Sequence, residues 1–134
     1  MNLLVNVDVP DLAAAEDFYV RAFGLEPGRR FGSSGVELHG ASAPIYLLVK
    51  AAGTVPFAEA PAGRDYARHW TPVHLDFAVD DLDAALQRAL DAGARLEGGV
   101  VTRKWGRMAN LSDPFGHGIC LLQFIGRGYD EITV

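Results

Sequence analysis

Two residues with side chains that could do chemistry, His74 and Asp76, stand two positions apart in a largely apolar stretch. In an extended strand, residues i and i+2 point to the same face, so the imidazole and the carboxylate would lie side by side. Such a pair could act as a general base, contact a polar ligand or contribute to a metal site. The plainer alternative is a strand histidine that hydrogen-bonds a neighbour, and the sequence leaves these readings open.

Other residues extend this candidate set. Asn6 occupies the matching face of an earlier strand candidate, and Arg107 stands in a later one, where its guanidinium could neutralise Asp76. A buried carboxylate must be paired or hydrated, so Asp76 implies a cationic partner or an open cavity. Trp105 shortly precedes Arg107, and its ring could hold a flat ligand or simply cover the edge of a sheet.

Both halves of the chain contain the same pattern, about seventy residues apart. Each begins with alternating apolar and polar residues, at 4–9 and at 73–79, which is the period of a strand with one covered face. Asp11 and Asp81 follow as natural N-caps of two predicted helices. Three strand candidates come after each helix. They are 27–31, 35–39 and 44–50 in the first half, and 95–102, 106–111 and 117–124 in the second.

Three short motifs accompany this repeat: Phe-Tyr at 18–19, Phe-Gly-Leu at 23–25 and Asp-Pro-Phe-Gly at 113–116. With two βαβββ units, they make the chain resemble the vicinal oxygen chelate superfamily, which includes glyoxalase I, bleomycin-resistance proteins and extradiol dioxygenases. The resemblance implies an α+β fold in which two curled mixed sheets surround a ligand cleft. It predicts a single glyoxalase-like domain over residues 1–134. Its parts would be a first unit at 1–50, a connecting loop at 51–70, a second unit at 71–125 and a tail at 126–134.

The enzymes of this superfamily hold a divalent metal with His, Glu or Gln side chains from the opening and closing strands of each unit. The resemblance places the corresponding positions at Leu4, Tyr46, His74 and Cys120. Leucine cannot coordinate a metal and a neutral tyrosine is a poor ligand, so only His74 is a usual ligand. We therefore expect no complete metal site and no cofactor. The alternative is Zn, Ni, Fe or Mn at a partial site of His74, Asp76 and Cys120.

These observations leave several hypotheses for the function. The first is a metal-free binder of a small aromatic or amphiphilic molecule, similar to the antibiotic-resistance members, and the losses at Leu4 and Tyr46 favour it. Its ligand-binding residues would be Asn6, Tyr46, His74, Asp76, Trp105, Arg107 and Cys120. The second is a metal-dependent lyase, isomerase or dioxygenase with His74 as a ligand. A metal-free enzyme with His74 or Asp76 as catalytic base lies between them, and a regulatory or assembly module is a third possibility.

The composition of the chain excludes several classes of binding partner. A net charge of −5 argues against nucleic acid and against an anionic membrane surface. No apolar run approaches the roughly 20 residues that span a bilayer, and the N-terminus does not read as a signal peptide, so we expect a cytoplasmic protein. The single cysteine, Cys120, excludes an intramolecular disulfide. The resemblance adds the expectation of a homodimer that binds a small molecule.

Overall fold

The computed structural model describes all residues from 1 to 134. They form two compact units, unit 1 (Met1–Ala67) and unit 2 (Arg68–Val134), and each unit contains one α-helix and one mixed sheet. This confirms the α+β class and the repeated βαβββ pattern. The division falls within the expected connecting loop, because residues 51–67 belong to unit 1 and residues 68–70 to unit 2. Neither α-helix has the length and the apolar composition that a membrane span requires.

Unit 1 follows the predicted order of elements. They are β1 (Val5–Val9), α1 (Leu12–Phe23), β2 (Glu26–Arg30), β3 (Gly35–His39) and β4 (Ile45–Val49). The sheet order is β1-β4-β3-β2, with β1 parallel to β4 and the other neighbours antiparallel. Helix α1 begins where Asp11 accepts a hydrogen bond from the amide of Ala14 at 3.0 Å, and it ends at Gly24, whose φ of 65° lies in the left-handed region. Apolar side chains fill the space between helix and sheet: Val7, Val9, Ala15, Phe18, Tyr19, Ala22, Val36, Leu38, Ile45 and Leu47.

Unit 2 repeats the pattern with one change. Its elements are β5 (Leu75–Ala78), α2 (Leu82–Ala92), β6 (Arg95–Leu96), β7 (Val101–Arg103), β8 (Gly106–Ser112), β9 (Gly118–Phe124) and a short 3-10 helix (Gly128–Glu131). The sheet order is β5-β9-β8-β6, and β7 also pairs with β8. The single strand expected at 95–102 is two short strands, since Gly98 adopts a φ of 78° between them. Asp81 and Gly93 cap α2 as expected.

Strand register gives each sheet a side that packs against its helix and an opposite side, which we call the open face. The helix-facing rows are mostly apolar and buried, apart from Arg107 and Gln123 in unit 2. The open faces carry the polar residues on which any chemistry depends. The central row of the open face is Asn6, Tyr46 and Glu37 in unit 1, and Asp76, Cys120 and Asn110 in unit 2.

The part of the connecting loop in unit 1 is folded back onto its own sheet. The backbone of Arg64 pairs with residues 53–54, which closes the loop on itself. Its side chain then donates from Nε to Oδ2 of Asp8, at 2.7 Å, near the end of β1. Tyr66 donates its hydroxyl to a backbone carbonyl just beyond β4 at 2.6 Å. These contacts hold the loop against the ends of β1 and β4, so it is not a loose linker.

Candidate functional site

The open face of unit 1 carries a carboxylate, Glu37, in the middle of β3. The Glu37 side chain is only 4% exposed, and both of its oxygens are engaged. Oε2 accepts from the hydroxyl of Tyr46 and from Nη2 of Arg29, both at 2.5 Å. Oε1 accepts from Nε of Arg29 at 3.2 Å and lies 2.7 Å from Nε2 of His39. We call Arg29, Glu37, His39 and Tyr46 the Glu37 cluster.

Strand register and one glycine assemble this cluster. Glu37 and Tyr46 are directly paired on β3 and β4, and His39 shares the face of Glu37 because it lies two residues further along the strand. A Cβ at Gly28 would lie 2.6 Å from Nε2 of His39 and 2.8 Å from Oε1 of Glu37. A larger residue at position 28 would therefore displace the side chains of His39 and Glu37 from this arrangement. The register of β2 is irregular at this point, and Arg29 reaches Glu37 from there.

Hydrogen bonding shifts the pKa values of three groups in the Glu37 cluster: Glu37, Arg29 and Tyr46. Arg29 holds the pKa of Glu37 far below its ordinary value, and Tyr46 and His39 act in the same direction. Hydrogen bonds to Glu37 raise the pKa of both Arg29 and Tyr46 in return. At neutral pH the cluster therefore consists of an ionised carboxylate, a guanidinium and a neutral phenol.

Phe31 extends the Glu37 cluster with an aromatic surface. Its ring centroid lies 6.1 Å from that of Tyr46, with the two planes 31° apart. Phe31 is 45% exposed, although it is apolar. The open face of unit 1 therefore places an accessible aromatic pair directly beside a set of oriented hydrogen-bond donors.

The open face of unit 2 contains the pair that the sequence singled out. Nε2 of His74 lies 3.2 Å from Oδ1 of Asp76, and the two side chains are 42% and 41% exposed. His74 precedes β5 by one residue, and its ring meets that of Trp70 edge to face at a centroid distance of 5.1 Å. The expected proximity of imidazole and carboxylate is therefore present, but in an accessible setting.

Cys120 lies next to Asp76 in the paired strands β5 and β9. Burial, and secondarily the carboxylate of Asp76, raise the pKa of this thiol to about 11. Its Sγ lies 3.4 Å from Oδ1 of Asn110, to which the thiol donates. Cys120 is therefore protonated at neutral pH in the metal-free chain, and it is not a nucleophilic thiolate.

Arg107 lies on the side of the sheet that faces α2, so its expected pairing with Asp76 is wrong. Strand β9 separates β5 from β8, and Arg107 is paired with Gln123, whose side chain accepts from the first amide of α2. The guanidinium donates to the carboxylate of Asp83 in α2 at 2.9 and 3.1 Å. Asp76 is instead partnered by His74.

Trp105 lies apart from the clusters described above, whereas Asn6 lies beside the Glu37 cluster. Trp105 stands in the turn between β7 and β8, and its ring packs against Tyr129 at 5.1 Å and Phe124 at 6.1 Å, measured between centroids. It contacts the aromatic residues at the end of its own unit. Asn6 is exposed on β1, in register with Tyr46. A ligand-binding role for either residue stays a prediction.

The side chains at the family's ligand positions do not fit a divalent metal. No group of three or more His, Cys, Asp or Glu side chains in the chain could hold a metal ion, and this includes the partial set of His74, Asp76 and Cys120. Tyr46 stands where the resemblance calls for a glutamate. The carboxylate beside it, Glu37, has both oxygens occupied by hydrogen bonds within its own cluster.

Comparison with known proteins agrees with the fold. A family model described as a glyoxalase-like domain matches residues 4–122. The chain belongs to this family, within the vicinal oxygen chelate superfamily.

Individual relatives extend this finding. An uncharacterised protein of Mycobacterium bovis is 38% identical over 112 residues, which are 81% of this chain and 74% of the relative. The anthracycline biosynthesis protein DnrV of Streptomyces peucetius is 32% identical over 120 residues, which are 88% of this chain but only 39% of the relative. The crystal structure of TioX from Micromonospora sp. ML1 has a TM-score of 0.72 and 19% identity, and the match covers 93% of this chain and 99% of that one.

Of the four residues in the Glu37 cluster of this glyoxalase-like chain, the sequence predicted only Tyr46 as a site residue. Arg29, Glu37 and His39 were not predicted. A signal was present, because Glu37 and His39 have the same i, i+2 spacing as His74 and Asp76. No sequence signal marked Arg29, since its approach depends on the irregular pairing of β2.

Proposed function

We propose that this glyoxalase-like chain binds a small planar aromatic molecule on the open face of unit 1 and does so without a metal ion. The observation that carries the proposal is the contact between Tyr46 and Glu37. At the family's glutamate position, a phenol donates to a carboxylate that is already ion-paired with Arg29. A metal would have to displace this charge-assisted hydrogen bonding before it could use the carboxylate.

The Phe31–Tyr46 pair supports an aromatic ligand. Ring faces that are accessible and slightly inclined to each other offer a surface for offset or edge-on contact with a flat compound. Ligand sites in proteins combine such apolar surface with a few placed polar groups, which the Glu37 cluster supplies here. The relative DnrV is named for anthracycline biosynthesis, and anthracyclines are planar fused-ring compounds.

Calorimetric titration of EDTA-treated protein with a panel of fused-ring compounds, including an anthraquinone, tests this proposal. We expect binding that EDTA does not change and that Phe31→Ala weakens about tenfold. Phe57→Ala is the matched control, because it removes another exposed phenylalanine of unit 1 that lies in the connecting loop. Failure of every compound to bind would overturn the proposal. So would a stoichiometric divalent ion that is needed for binding and is lost in His74→Ala.

The His74–Asp76 pair favours a second candidate function, a metal-free isomerase or lyase. Nε2 of His74 lies 3.2 Å from Oδ1 of Asp76, so the carboxylate can orient the ring while Nδ1 takes a proton from a bound substrate. Exchange of an acidic C–H of an aromatic ketone in D2O, followed by NMR, would detect this activity. The candidate requires that His74→Gln abolish the exchange while ligand binding persists, and exchange that survives in the variant would contradict it.

The homodimer and the cytoplasmic location belong to the same proposal. Light scattering should give about twice the chain mass of 14.4 kDa, and cell fractionation should recover the protein with the cytoplasm. A single-chain mass at assay concentration would contradict the dimer.

A further inference from the structure

Arg29 is highly exposed, and yet its guanidinium is held in one direction. Nε donates to Glu37 at 3.1 and 3.2 Å, and Nη2 donates to Glu37 and to the hydroxyl of Tyr46 at 2.5 and 3.0 Å. The side chain is nevertheless 71% exposed. A guanidinium is planar and carries its donors in a rigid fork, so these contacts also fix where Nη1 points. The two N–H groups of Nη1 remain for a ligand.

Tyr46 links this donor to the aromatic surface. Its hydroxyl accepts from Arg29 at 3.0 Å, while its ring lies beside that of Phe31. A flat molecule on the Phe31–Tyr46 pair would therefore have its edge within the neighbourhood of the guanidinium. The carboxylate of Glu37 offers nothing to a ligand cation, because its side chain is almost fully covered and both oxygens are engaged.

We propose that Arg29 selects the ligand by charge, so that the bound compound is a planar aromatic acid whose ionised oxygen accepts hydrogen bonds from Nη1. This inference rests on the proposed function and narrows its ligand class. Glu37 already neutralises the charge of Arg29, and the whole chain is acidic. Selection therefore comes from short-range, charge-assisted hydrogen bonds and not from long-range attraction.

Ligands of the same ring size but different charge separate the contribution of charge to affinity from that of ring stacking. Calorimetry at one ionic strength would compare naphthoate with the uncharged naphthamide and with a naphthylmethylammonium cation. We expect the dissociation constant of naphthoate to be at least about tenfold lower than that of the amide. The cation should bind no more tightly than the amide. A nitronaphthol that is ionised at the assay pH, compared with its methyl ether, distinguishes a phenolate from a carboxylate as the preferred anion.

Substitutions of two neighbouring arginines test whether Arg29 causes the preference for naphthoate. Arg29→Gln should abolish the preference for naphthoate, so that naphthoate and naphthamide bind with equal affinity. Arg30→Gln is the matched control, because Arg30 pairs with Glu16 of α1 on the other side of the sheet, at 2.7 and 3.0 Å. It removes the same charge from the same strand, and the preference should persist.

A second variant tests whether the effect of Arg29→Gln arises from misfolding. Arg29→Gln leaves Glu37 without its ion-pair partner, whereas Arg29→Gln combined with Glu37→Gln removes both charges. The double variant should fold by circular dichroism and also lack the preference. Equal binding of naphthoate and naphthamide by the native protein would overturn charge selection and leave metal-free aromatic binding standing. Failure of both to bind, together with failure of every fused-ring compound of the panel, would overturn the proposed function itself. Loss of the preference in Arg30→Gln would also overturn the role of Arg29.

Discussion

Each open face presents an acidic residue in the central row of its sheet, but the two faces treat it differently. In unit 1, Glu37 is covered and its oxygens accept from a guanidinium and a phenol, with an imidazole in contact. In unit 2, Asp76 remains two-fifths exposed and meets a single imidazole. Burial of a carboxylate is tolerated only with partners that replace its hydration, so the environment of each residue follows from what its neighbouring strands supply.

The edge strands explain the difference. In unit 1, Gly28 lets β2 approach the carboxylate, and Arg29 follows directly. In unit 2, the corresponding edge is split into β6 and β7, and Arg107 points to α2. The same topology therefore carries a covered, neutralised carboxylate in one unit and an exposed pair in the other. A shared fold does not imply shared chemistry, even within one chain.

Removal of each carboxylate gives the largest expected contrast. The decrease in the thermal midpoint should be roughly twice as large for Glu37→Ala as for Asp76→Ala. Glu37→Ala leaves the donors of Arg29 and Tyr46 without their acceptor in a covered part of the sheet. Asp76→Ala removes one exposed contact. Thermal unfolding followed by circular dichroism measures both shifts. Equal shifts would break the contrast between the two open faces.

The pH dependence of stability tests the environment of a third carboxylate, Glu97 in unit 2. Hydrogen bonds from Arg68, with a smaller contribution from Trp70, lower the pKa of Glu97 to about 2. A lowered folded-state pKa means that the stabilisation is present above the ordinary carboxyl range and is lost as the pH falls toward 2. The loss should be on the order of 1 kcal/mol, since the pair is partly exposed and screened by solvent. Urea unfolding between pH 5 and 2.5 measures this, and Glu97→Gln should reduce the slope of the profile, while Glu37 still contributes to it; an unchanged slope would contradict the assignment.

The thiol of Cys120 reports the charge of Asp76. With a pKa of about 11, Cys120 should react very slowly with iodoacetamide at pH 8. Asp76→Asn removes the smaller of the two causes, so the pKa should fall by less than about one unit. The pH profile of alkylation under native conditions gives both values. Rapid alkylation of the native protein at neutral pH would show that the thiol is not held in its protonated form.

The smallest expected effect comes from Arg107→Gln. This arginine pairs with Asp83 of α2, away from the open face. Its loss should leave naphthoate binding unchanged and shift stability only slightly, in contrast with Arg29→Gln. Calorimetric binding with a parallel urea titration checks both points, and weakened binding would return Arg107 to the site.

Much of the scaffold could be predicted because its determinants are local. The caps at Asp11 and Asp81, the alternation that separates Val7 from Asn6, and the pairing of His74 with Asp76 each depend on residues a few positions apart. The repeat of these local signals in both halves of the chain was enough to indicate the βαβββ units, and the resemblance to the superfamily also rested on the motifs at 18–19, 23–25 and 113–116.

The partners of the charged groups were decided only by tertiary structure. Which strand lies beside which, and where the register slips, depend on pairings between residues far apart in sequence. An irregular β2 brings Arg29 to Glu37, and the interposed β9 keeps Arg107 from Asp76. By itself, the sequence determined the two units and the polar pattern of their strands. The tertiary structure decided which carboxylate is neutralised, because that depends on long-range contacts that no local pattern encodes.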